Sequence, residues 1–321
     1  MTNLEYVTCN LCGADDTELL YPATLDRGTH PDGKAYNCTN FGYGQHHAIV
    51  RCRRCGLVYA NPRFPQQELL EEYEHVVDPL YEQEREGRVL TFQRHLEPIE
   101  QMVGEHWSRR ILDVGAYTGV FVEIAQQRGW DAYGTELSQW AAELCRQRGL
   151  KVNAGTLEAA RFPDAWFDVA TSWDVVEHLN DPRSHLQEIH RVLKPGGLIV
   201  IHTIDIDAPF ARVMGPRWPW LMEMHIVYFS RHTLARMLED VGFEVVRAEP
   251  QGRYQRMSYL VSRLQAISPK LWRVADKVIR ALHMDDLAIP INLGDLVTTY
   301  AIKRQQGGCP PGEGEGDEVM R

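Results

Sequence analysis

The sequence predicts an α/β protein with a mainly parallel sheet, preceded by a small cysteine-rich module and a helical segment. Residues 108–250 alternate short apolar segments with amphipathic ones, which is the pattern of parallel strands joined by helices. Five of the seven cysteines lie within the first 55 residues. A chain of 321 residues, 44% of them hydrophobic, is long enough to bury a large core.

Three regions and a tail follow one another along the chain. Residues 1–65 contain the cysteine-rich module. Residues 66–107 space their apolar side chains as amphipathic helices do, and we expect a helical cover that Pro79 and Gly87 interrupt. Residues 108–304 contain the sheet, and the Gly/Pro/Glu-rich residues 305–321 are expected to form a disordered tail.

Caps, glycines and apolar segments define the elements of the sheet region. Polar N-caps mark helix starts at Ser138, Asp181 and Ser230. Glycines mark helix ends at Gly129, Gly149 and Gly242. Strands are predicted over residues 111–114, 132–136, 167–172, 198–201, 243–246 and 296–302. Helices are predicted over residues 120–128, 139–148, 182–193 and 231–241.

Composition and charge exclude some classes of protein. No apolar run approaches the roughly 18 residues of a membrane span, and the N-terminus lacks the basic and apolar segments of a secretory signal. With 34 Lys+Arg against 44 Asp+Glu, the net charge of −10 disfavours a protein that grips nucleic acid. We therefore expect a cytoplasmic protein that acts on a small molecule, without membrane or nucleic-acid partners. A homodimer is an open alternative.

The segment from Ile111 to Gly119 predicts a strand, a tight glycine turn and the start of a helix. Such a turn brings backbone N–H groups close to a ligand. A dinucleotide-binding loop would need glycine at positions 115, 117 and 120, but Tyr117 and Val120 occupy two of them. A nicotinamide-dependent oxidoreductase is therefore disfavoured.

The pattern Asp113-x-Gly115-x-x-x-Gly119 resembles motif I of class I S-adenosylmethionine-dependent methyltransferases. Segments 134–138, 154–164, 167–179 and 191–197 resemble later motifs of that family, in the family's order. The resemblance implies a Rossmann-like sheet and S-adenosylmethionine as cofactor. The chain departs from the family pattern at Tyr117, where a small residue is usual, and at Thr156, where an Asp is frequent.

The resemblance also implies which residues contact the cofactor. Glu136, at the end of the second strand, would accept hydrogen bonds from the ribose diol. Asp113 would hold the methionine amino group, or would instead stabilise the turn. The full set implied is Asp113, Gly115, Tyr117, Gly119, Glu136, Leu137, Thr156, Leu157, Trp173, Asp174 and Tyr81.

The N-terminal cysteines form two Cys-x2-Cys knuckles, Cys9/Cys12 and Cys52/Cys55. Two thiolate pairs suit a tetrahedral zinc ion, and a full set of four protein ligands indicates a structural site, since catalytic sites keep a position open. A small module with few aliphatic residues needs such a metal to fold.

The acceptor chemistry is expected after the fourth and fifth strands. His225 is the first candidate for a general base, because histidine titrates near neutral pH, and it lies in a Trp/Pro/Met-rich segment typical of a lid. His178 and Tyr228 are further catalytic candidates. Alternatively, His225 only packs the lid, or Asp174, Glu177 and His178 hold a divalent cation, as a similar set does in some O-methyltransferases.

The sequence therefore predicts S-adenosylmethionine-dependent methylation of a small molecule, at oxygen or carbon. The four-cysteine layout is similar to bacterial glycan and natural-product methyltransferases, including deoxysugar C-methyltransferases. This resemblance implies a sugar or natural-product acceptor. Two alternatives stay open: a non-catalytic, zinc-containing binding protein with a degenerate cofactor pocket, and a divalent-metal-assisted O-methyltransferase.

Overall fold

The computed structural model of the chain describes residues 4–25, 33–40, 42–104 and 107–305. The predicted tail beyond Gln305 lies outside the described residues. Among the helices described, none combines the length and the apolar character needed to cross a bilayer.

Strands and helices alternate through most of the chain. The described strands are β1 (Thr17–Tyr21), β2 (Ile49–Cys52), β3 (Val58–Ala60), β4 (Arg110–Val114), β5 (Asp131–Glu136), β6 (Lys151–Ala154), β7 (Phe167–Trp173), β8 (Leu193–Ile204), β9 (Val227–Tyr228), β10 (Phe243–Pro250), β11 (Arg253–Arg256), β12 (Ala288–Ile291) and β13 (Leu296–Lys303). The described α-helices are α1 (Gln66–Glu74), α2 (Pro79–Gln83), α3 (Arg85–Met102), α4 (Val120–Gln127), α5 (Gln139–Gln147), α6 (Leu157–Ala160), α7 (Pro182–Val192), α8 (Pro209–Met214), α9 (Arg231–Val241), α10 (Met257–Ile267) and α11 (Pro269–Ala281).

The main sheet confirms the prediction of a mainly parallel α/β fold. Its strand order within the described residues is β10-β13-β8-β7-β4-β5-β6, and β4 to β8 are mutually parallel. The exceptions are β13 and β10, which pair antiparallel at one end. The six predicted strands and four predicted helices of this region are all present. Strand β6 was not predicted, because its Lys-Val-Asn-Ala sequence lies at the sheet edge and lacks a buried apolar face.

A second sheet, β1-β2-β3-β9, crosses the predicted module boundary. Its first three strands come from residues 17–60, but β9 comes from the segment that follows β8. Val58 pairs with Tyr228 and Tyr59 with Val227, and the Ala60 N–H donates to the Ile226 carbonyl at 2.8 Å. The N-terminal module and residues 217–228, which we call the lid segment, therefore share one hydrogen-bonded sheet.

The helical cover differs from the prediction at Gly87. Pro79 begins α2, where the Asp78 carboxylate caps the helix by accepting from the Tyr81 N–H. Gly87, however, lies inside the continuous helix α3. A Cβ at this position would lie 2.9 Å from the Tyr254 carbonyl oxygen, so glycine serves close packing against β11 rather than ending the helix.

Asp168 ties the three central strands together at their amino ends. Its buried carboxylate, on β7, accepts from the Arg110 backbone N–H at 2.9 Å, from the Ser108 hydroxyl, and from Lys194 Nζ at 2.7 Å. Burial alone would raise the pKa of Asp168, but these donors hold it below its usual range.

We expect Asp168→Asn to lower the free energy of unfolding by about 2–3 kcal/mol, because three donors, one of them the Lys194 ammonium, lose a buried charged acceptor. Because the folded pKa is depressed, the stabilisation is present above the unfolded pKa of about 3.9 and is lost as pH falls through the folded value. Denaturant unfolding from pH 3 to 7 measures both effects. Asp164→Asn, at a side chain 78% exposed, is the control and should change little. Equal effects in the two variants would contradict this role of Asp168.

Candidate functional site

A cavity of about 740 Å³ opens at the carboxyl ends of the parallel strands. Gly115, Glu136, Asp174 and His202 reach it from the ends of β4, β5, β7 and β8. The cover helices α1–α3, the N-terminal module and α10 supply the opposite walls. Ligands of open α/β sheets bind at this edge, and the volume is typical of a small-molecule site.

The glycine turn after β4 lines the cavity. Gly115 has φ of +78°, and a Cβ there would lie 2.5 Å from Val175 Cγ2, so this position requires glycine. Tyr117 follows with φ of +47°. Its ring packs edge-on against the ring of Tyr81, at 4.3 Å between centroids. The large residue that departs from the family motif is thus accommodated by the cover.

Glu136 is the best-defined polar group of the cavity. Its two carboxylate oxygens accept from the backbone N–H groups of Tyr117 and Ser138, each at 2.7 Å. Burial raises the pKa of Glu136 to about 7, although these two hydrogen bonds oppose the shift. A carboxylate has about four acceptor sites, so two remain for a ligand.

Asp113 lies at the end of β4 and is also buried. It accepts from the Thr171 hydroxyl at 2.7 Å, a contact with the neighbouring strand rather than with the turn. Burial raises the pKa of Asp113 to about 8. The group is therefore held in place by the sheet and lines the cavity.

The remaining residues of the predicted cofactor and catalytic sets divide into two groups. Those that line the cavity are Tyr81, Leu137, Thr156, Leu157, Trp173, Asp174, His178 and His225. Gly119 and Tyr228 are not among the lining residues. A Cβ at Gly119 would lie 2.5 Å from Leu150 Cδ1 and 2.8 Å from Cys145 Sγ on α5, so this glycine serves packing against α5 and the residues that follow it. Tyr228 is fully buried with its hydroxyl toward the Met222 carbonyl at 3.4 Å, and this placement disagrees with a catalytic role.

The two histidines of the predicted catalytic set lie together. Their ring centroids are 4.8 Å apart. His178 Nδ1 lies 2.8 Å from the Met224 carbonyl, and His225 Nδ1 lies 2.8 Å from the Trp220 carbonyl. A carbonyl only accepts, so each Nδ1 carries the proton, and Nε2 carries the lone pair in the neutral ring. Burial lowers the pKa of both rings, that of His225 to about 3, so both are neutral.

Glu177 completes a cluster with these histidines. One ligand atom from each of Glu177, His178 and His225 lies within 4.8 Å of the others. Glu177 accepts from the Thr203 hydroxyl at 2.8 Å. Burial, reinforced by the charge of Asp174, raises the pKa of Glu177 to about 8.

Asp174 does not belong to that cluster. Its carboxylate pairs with Arg253 at 2.7 Å, and its backbone adopts φ of +55°, held by a hydrogen bond from its N–H to the His202 carbonyl. The predicted cation set of Asp174, Glu177 and His178 is therefore corrected, with His225 in place of Asp174. Such backbone strain is concentrated at functional sites.

The four cysteines of the two knuckles come together in the N-terminal module. Cys9 Sγ lies 3.4 Å from Cys55 Sγ, and Cys12 Sγ lies 3.5 Å from Cys52 Sγ. All four sulfurs lie within 4.8 Å of one another. Each pair joins the two knuckles, so the cluster connects the start of the chain to the β2–β3 turn.

Of three further cavity residues, the sequence analysis missed Arg253, whereas Tyr73 and Arg88 lie on the predicted helical cover. Arg253 pairs with Asp174 across 79 positions, and Tyr73 places its hydroxyl 3.0 Å from His178 Nδ1. Arg88 lies 3.3 Å above the ring of Tyr81 and, within the described residues, makes no ion pair. The helical spacing of residues 66–107 placed Tyr73 and Arg88 on a cover, but no sequence signal indicated Arg253.

Comparisons with known proteins agree with this geometry. A family model described as "Methyltransferase domain" matches residues 67–248, more than half of the chain. The ubiquinone biosynthesis O-methyltransferases of Leptothrix cholodnii and Methylococcus capsulatus are 33% and 34% identical over 116 and 115 residues. Each match covers 33% of this chain and 49% or 48% of the relative, so the chain spans about half the length of these curated relatives.

A solved structure shows the same fold. A chain of the complex between the Haloferax volcanii Trm112 methyltransferase activator and the putative methyltransferase superposes with a TM-score of 0.50. The alignment covers 70% of this chain and 95% of that chain, at 13% identity. From the matching family model, and from the sheet and glycine turn that it spans, the chain belongs to the methyltransferase domain family.

Proposed function

We propose that the chain is an S-adenosylmethionine-dependent methyltransferase that methylates an oxygen atom of a small molecule. The observation that carries this proposal is the Glu136 carboxylate, which two backbone N–H groups orient beside the Gly115 turn in the cavity. Membership of the methyltransferase domain family supports it.

The residues around the turn fit the cofactor. When bound, S-adenosylmethionine supplies an electrophilic methyl group on a sulfonium. Glu136 would accept both ribose hydroxyls, and the Gly115 backbone would allow close approach of the methionine part. Asp113 would face the amino group, while Leu137 and Leu157 would enclose the adenine. Tyr81 and Tyr117 would exclude water on the side of the cavity formed by the cover helices.

The acceptor is proposed from the curated relatives and from the four-cysteine layout. The curated relatives are named as O-methyltransferases, which favours oxygen over carbon. The sugar or natural-product class rests on the four-cysteine layout alone. In this proposal the enzyme positions the acceptor in line with the donor. His225 Nε2 accepts a hydrogen bond from the acceptor hydroxyl, and the proton passes to solvent water, because a ring with a pKa of about 3 is too weak a base to keep it.

Glu136→Gln should weaken S-adenosylmethionine binding about 10- to 100-fold, because a carboxylate–hydroxyl hydrogen bond contributes about 1.5–3 kcal/mol. Isothermal calorimetry with S-adenosylmethionine and its demethylated product measures this. Glu143→Gln, in an exposed pair on α5, is the matched control and should bind as wild type does. No binding by a folded wild-type chain would favour the non-catalytic alternative.

Donor binding should also depend on pH. The ribose diol of the cofactor needs an ionised acceptor, and the pKa of Glu136 in the protein without ligand is about 7. The dissociation constant should therefore rise about tenfold per pH unit below 7 and level off above it, since a proton must leave on binding. Calorimetry between pH 5.5 and 8.5 tests this. A pH-independent affinity in wild type would show that Glu136 does not titrate in this range, and the same slope in Glu136→Gln would show that another group titrates.

We further propose that Cys9, Cys12, Cys52 and Cys55 hold a structural zinc ion. Zinc–sulfur bonds of about 2.3 Å place tetrahedral sulfurs about 3.8 Å apart. The sulfur pairs at 3.4 and 3.5 Å and the outer limit of 4.8 Å are compatible with that arrangement. Four thiolates leave no open position, so the ion would fix the module rather than act on substrate.

Cys12→Ser should lose the zinc ion and destabilise the module, because metal binding and folding of such sites are coupled. Elemental analysis should give about one zinc per wild-type chain, and hydrogen exchange of residues 49–60 should accelerate in the variant. Cys38→Ser, outside the four-cysteine cluster, should keep the metal. A folded wild-type chain without zinc would overturn the assignment.

The Glu177, His178 and His225 cluster favours a second candidate function, divalent-metal-assisted O-methylation. Both Nδ1 atoms are committed to backbone carbonyls, which leaves the Nε2 lone pairs and the Glu177 carboxylate as ligands. Such oxygen and imidazole sets suit Mn²⁺ or Mg²⁺. A cation there would lower the pKa of an acceptor hydroxyl.

Titration with Mn²⁺, followed by electron paramagnetic resonance, distinguishes the two roles of His225. The metal-assisted role predicts one Mn²⁺ per chain, with affinity lowered at least about tenfold in Glu177→Gln and His225→Ala. His75→Ala, at an exposed position on the cover, is the control. Absence of bound Mn²⁺, or equal affinity in all variants, would leave His225 as the proposed hydrogen-bond acceptor for the substrate hydroxyl.

A further inference from the structure

Helix α11 exposes an apolar stripe to solvent. Leu271, Val274, Val278 and the C-cap residue Leu282 follow the spacing of one helix face, and they are 50%, 61%, 50% and 61% exposed. Ile279 is one position after Val278, about 100° around the helix, and it is buried against the protein. The exposed stripe is therefore not part of the core and requires another partner.

A basic stripe runs beside the apolar one. Lys270, Arg273 and Lys277 each precede an exposed apolar residue by one position, which places them about 100° around the helix. All three are exposed, and within the described residues none makes an ion pair. Arg280 continues the stripe and pairs with Asp276. This helix thus concentrates positive charge on a chain whose net charge is −10.

We propose that α11 docks the protein peripherally on an anionic phospholipid bilayer. An apolar stripe with Lys and Arg along its flank is the arrangement by which surface helices enter the headgroup region. The long basic side chains can reach lipid phosphates while the valines and leucines contact the acyl boundary. The sequence argument against a membrane span does not bear on this mode, because a helix lying on the surface needs no 18-residue apolar run.

Charge favours lipid over a second copy of this chain. Two copies joined antiparallel through this stripe by a two-fold axis would bring their basic stripes together on the same side, with repulsion between like charges. A parallel two-fold pair would place the basic stripes on opposite sides and leave them without anionic partners. An anionic surface instead complements all of these charges. The surface also adjoins the cavity, since α11 packs against α10, whose Tyr259 and Leu260 line the cavity wall.

Vesicle sedimentation with the full chain tests the proposal. We expect binding to phosphatidylcholine vesicles that contain about 30% phosphatidylglycerol, weaker binding to phosphatidylcholine alone, and loss of binding as salt rises. Val274→Glu/Val278→Glu and Arg273→Ser/Lys277→Ser should each reduce the bound fraction at least about tenfold. Val213→Glu, at an 85% exposed valine on α8, and Arg146→Ser on α5 are matched controls that should bind as wild type does.

Thermal unfolding and donor binding of each variant separate loss of docking from loss of folding, and docking does not depend on the proposed activity. Absence of vesicle binding by a folded wild-type chain would overturn the proposal. So would equal binding of the α11 variants and the controls. A dimer that Val274→Glu/Val278→Glu dissociates, without vesicle binding, would assign the stripe to a second copy.

Discussion

The cavity depends on one buried carboxylate. Glu136 accepts from the backbone of the glycine turn after β4 and from the start of α5, so it fixes the relative positions of two loops that neighbouring parallel strands bring together. Burial makes this arrangement costly for the charged form, as its raised pKa shows. The hydrogen bonds from Tyr117 and Ser138 offset part of that cost and leave acceptor capacity facing the cavity. The shape of the turn, the position of Tyr117 and the orientation of the Glu136 carboxylate in the cavity follow from these two hydrogen bonds.

A second constraint concerns two carboxylates that follow β7, Asp174 and Glu177, which have different partners. Asp174 is held by Arg253, a residue from the segment inserted between β10 and β13, whereas Glu177 faces the paired histidines. The backbone carbonyls of the lid fix the tautomers of both histidines. The C-terminal insertion and the lid therefore set the chemistry of the cavity as much as the sheet does, although neither belongs to the glycine-turn motif.

Sequence reasoning succeeded where local rules determine structure. Caps and glycines defined the helices that start after Ser138, Asp181 and Ser230, and the ordered motifs indicated the sheet and its family.

Sequence reasoning failed where tertiary packing decides the structure. Gly87 lies within a helix, and it is glycine because the Tyr254 backbone approaches it. The Asp174–Arg253 pair joins residues 79 positions apart. Gly119 fits the motif but serves packing, and Tyr228 lies in the lid but faces inward. The exposed apolar face of α11 was not predicted, because a search for membrane-spanning segments does not detect a surface helix.

The shared sheet of β1, β2, β3 and β9 has a consequence for how this architecture can be inherited or rebuilt. Hydrogen bonds from β3 to residues 226–228 make the lid a structural part of the N-terminal module, although more than 160 residues separate them in sequence. If the first 65 residues were exchanged between relatives, β9 would pair with a β3 strand from a different protein. Recombination that respects the fold must move the lid together with the module, so the two are expected to diverge as a single unit while the intervening sheet varies independently.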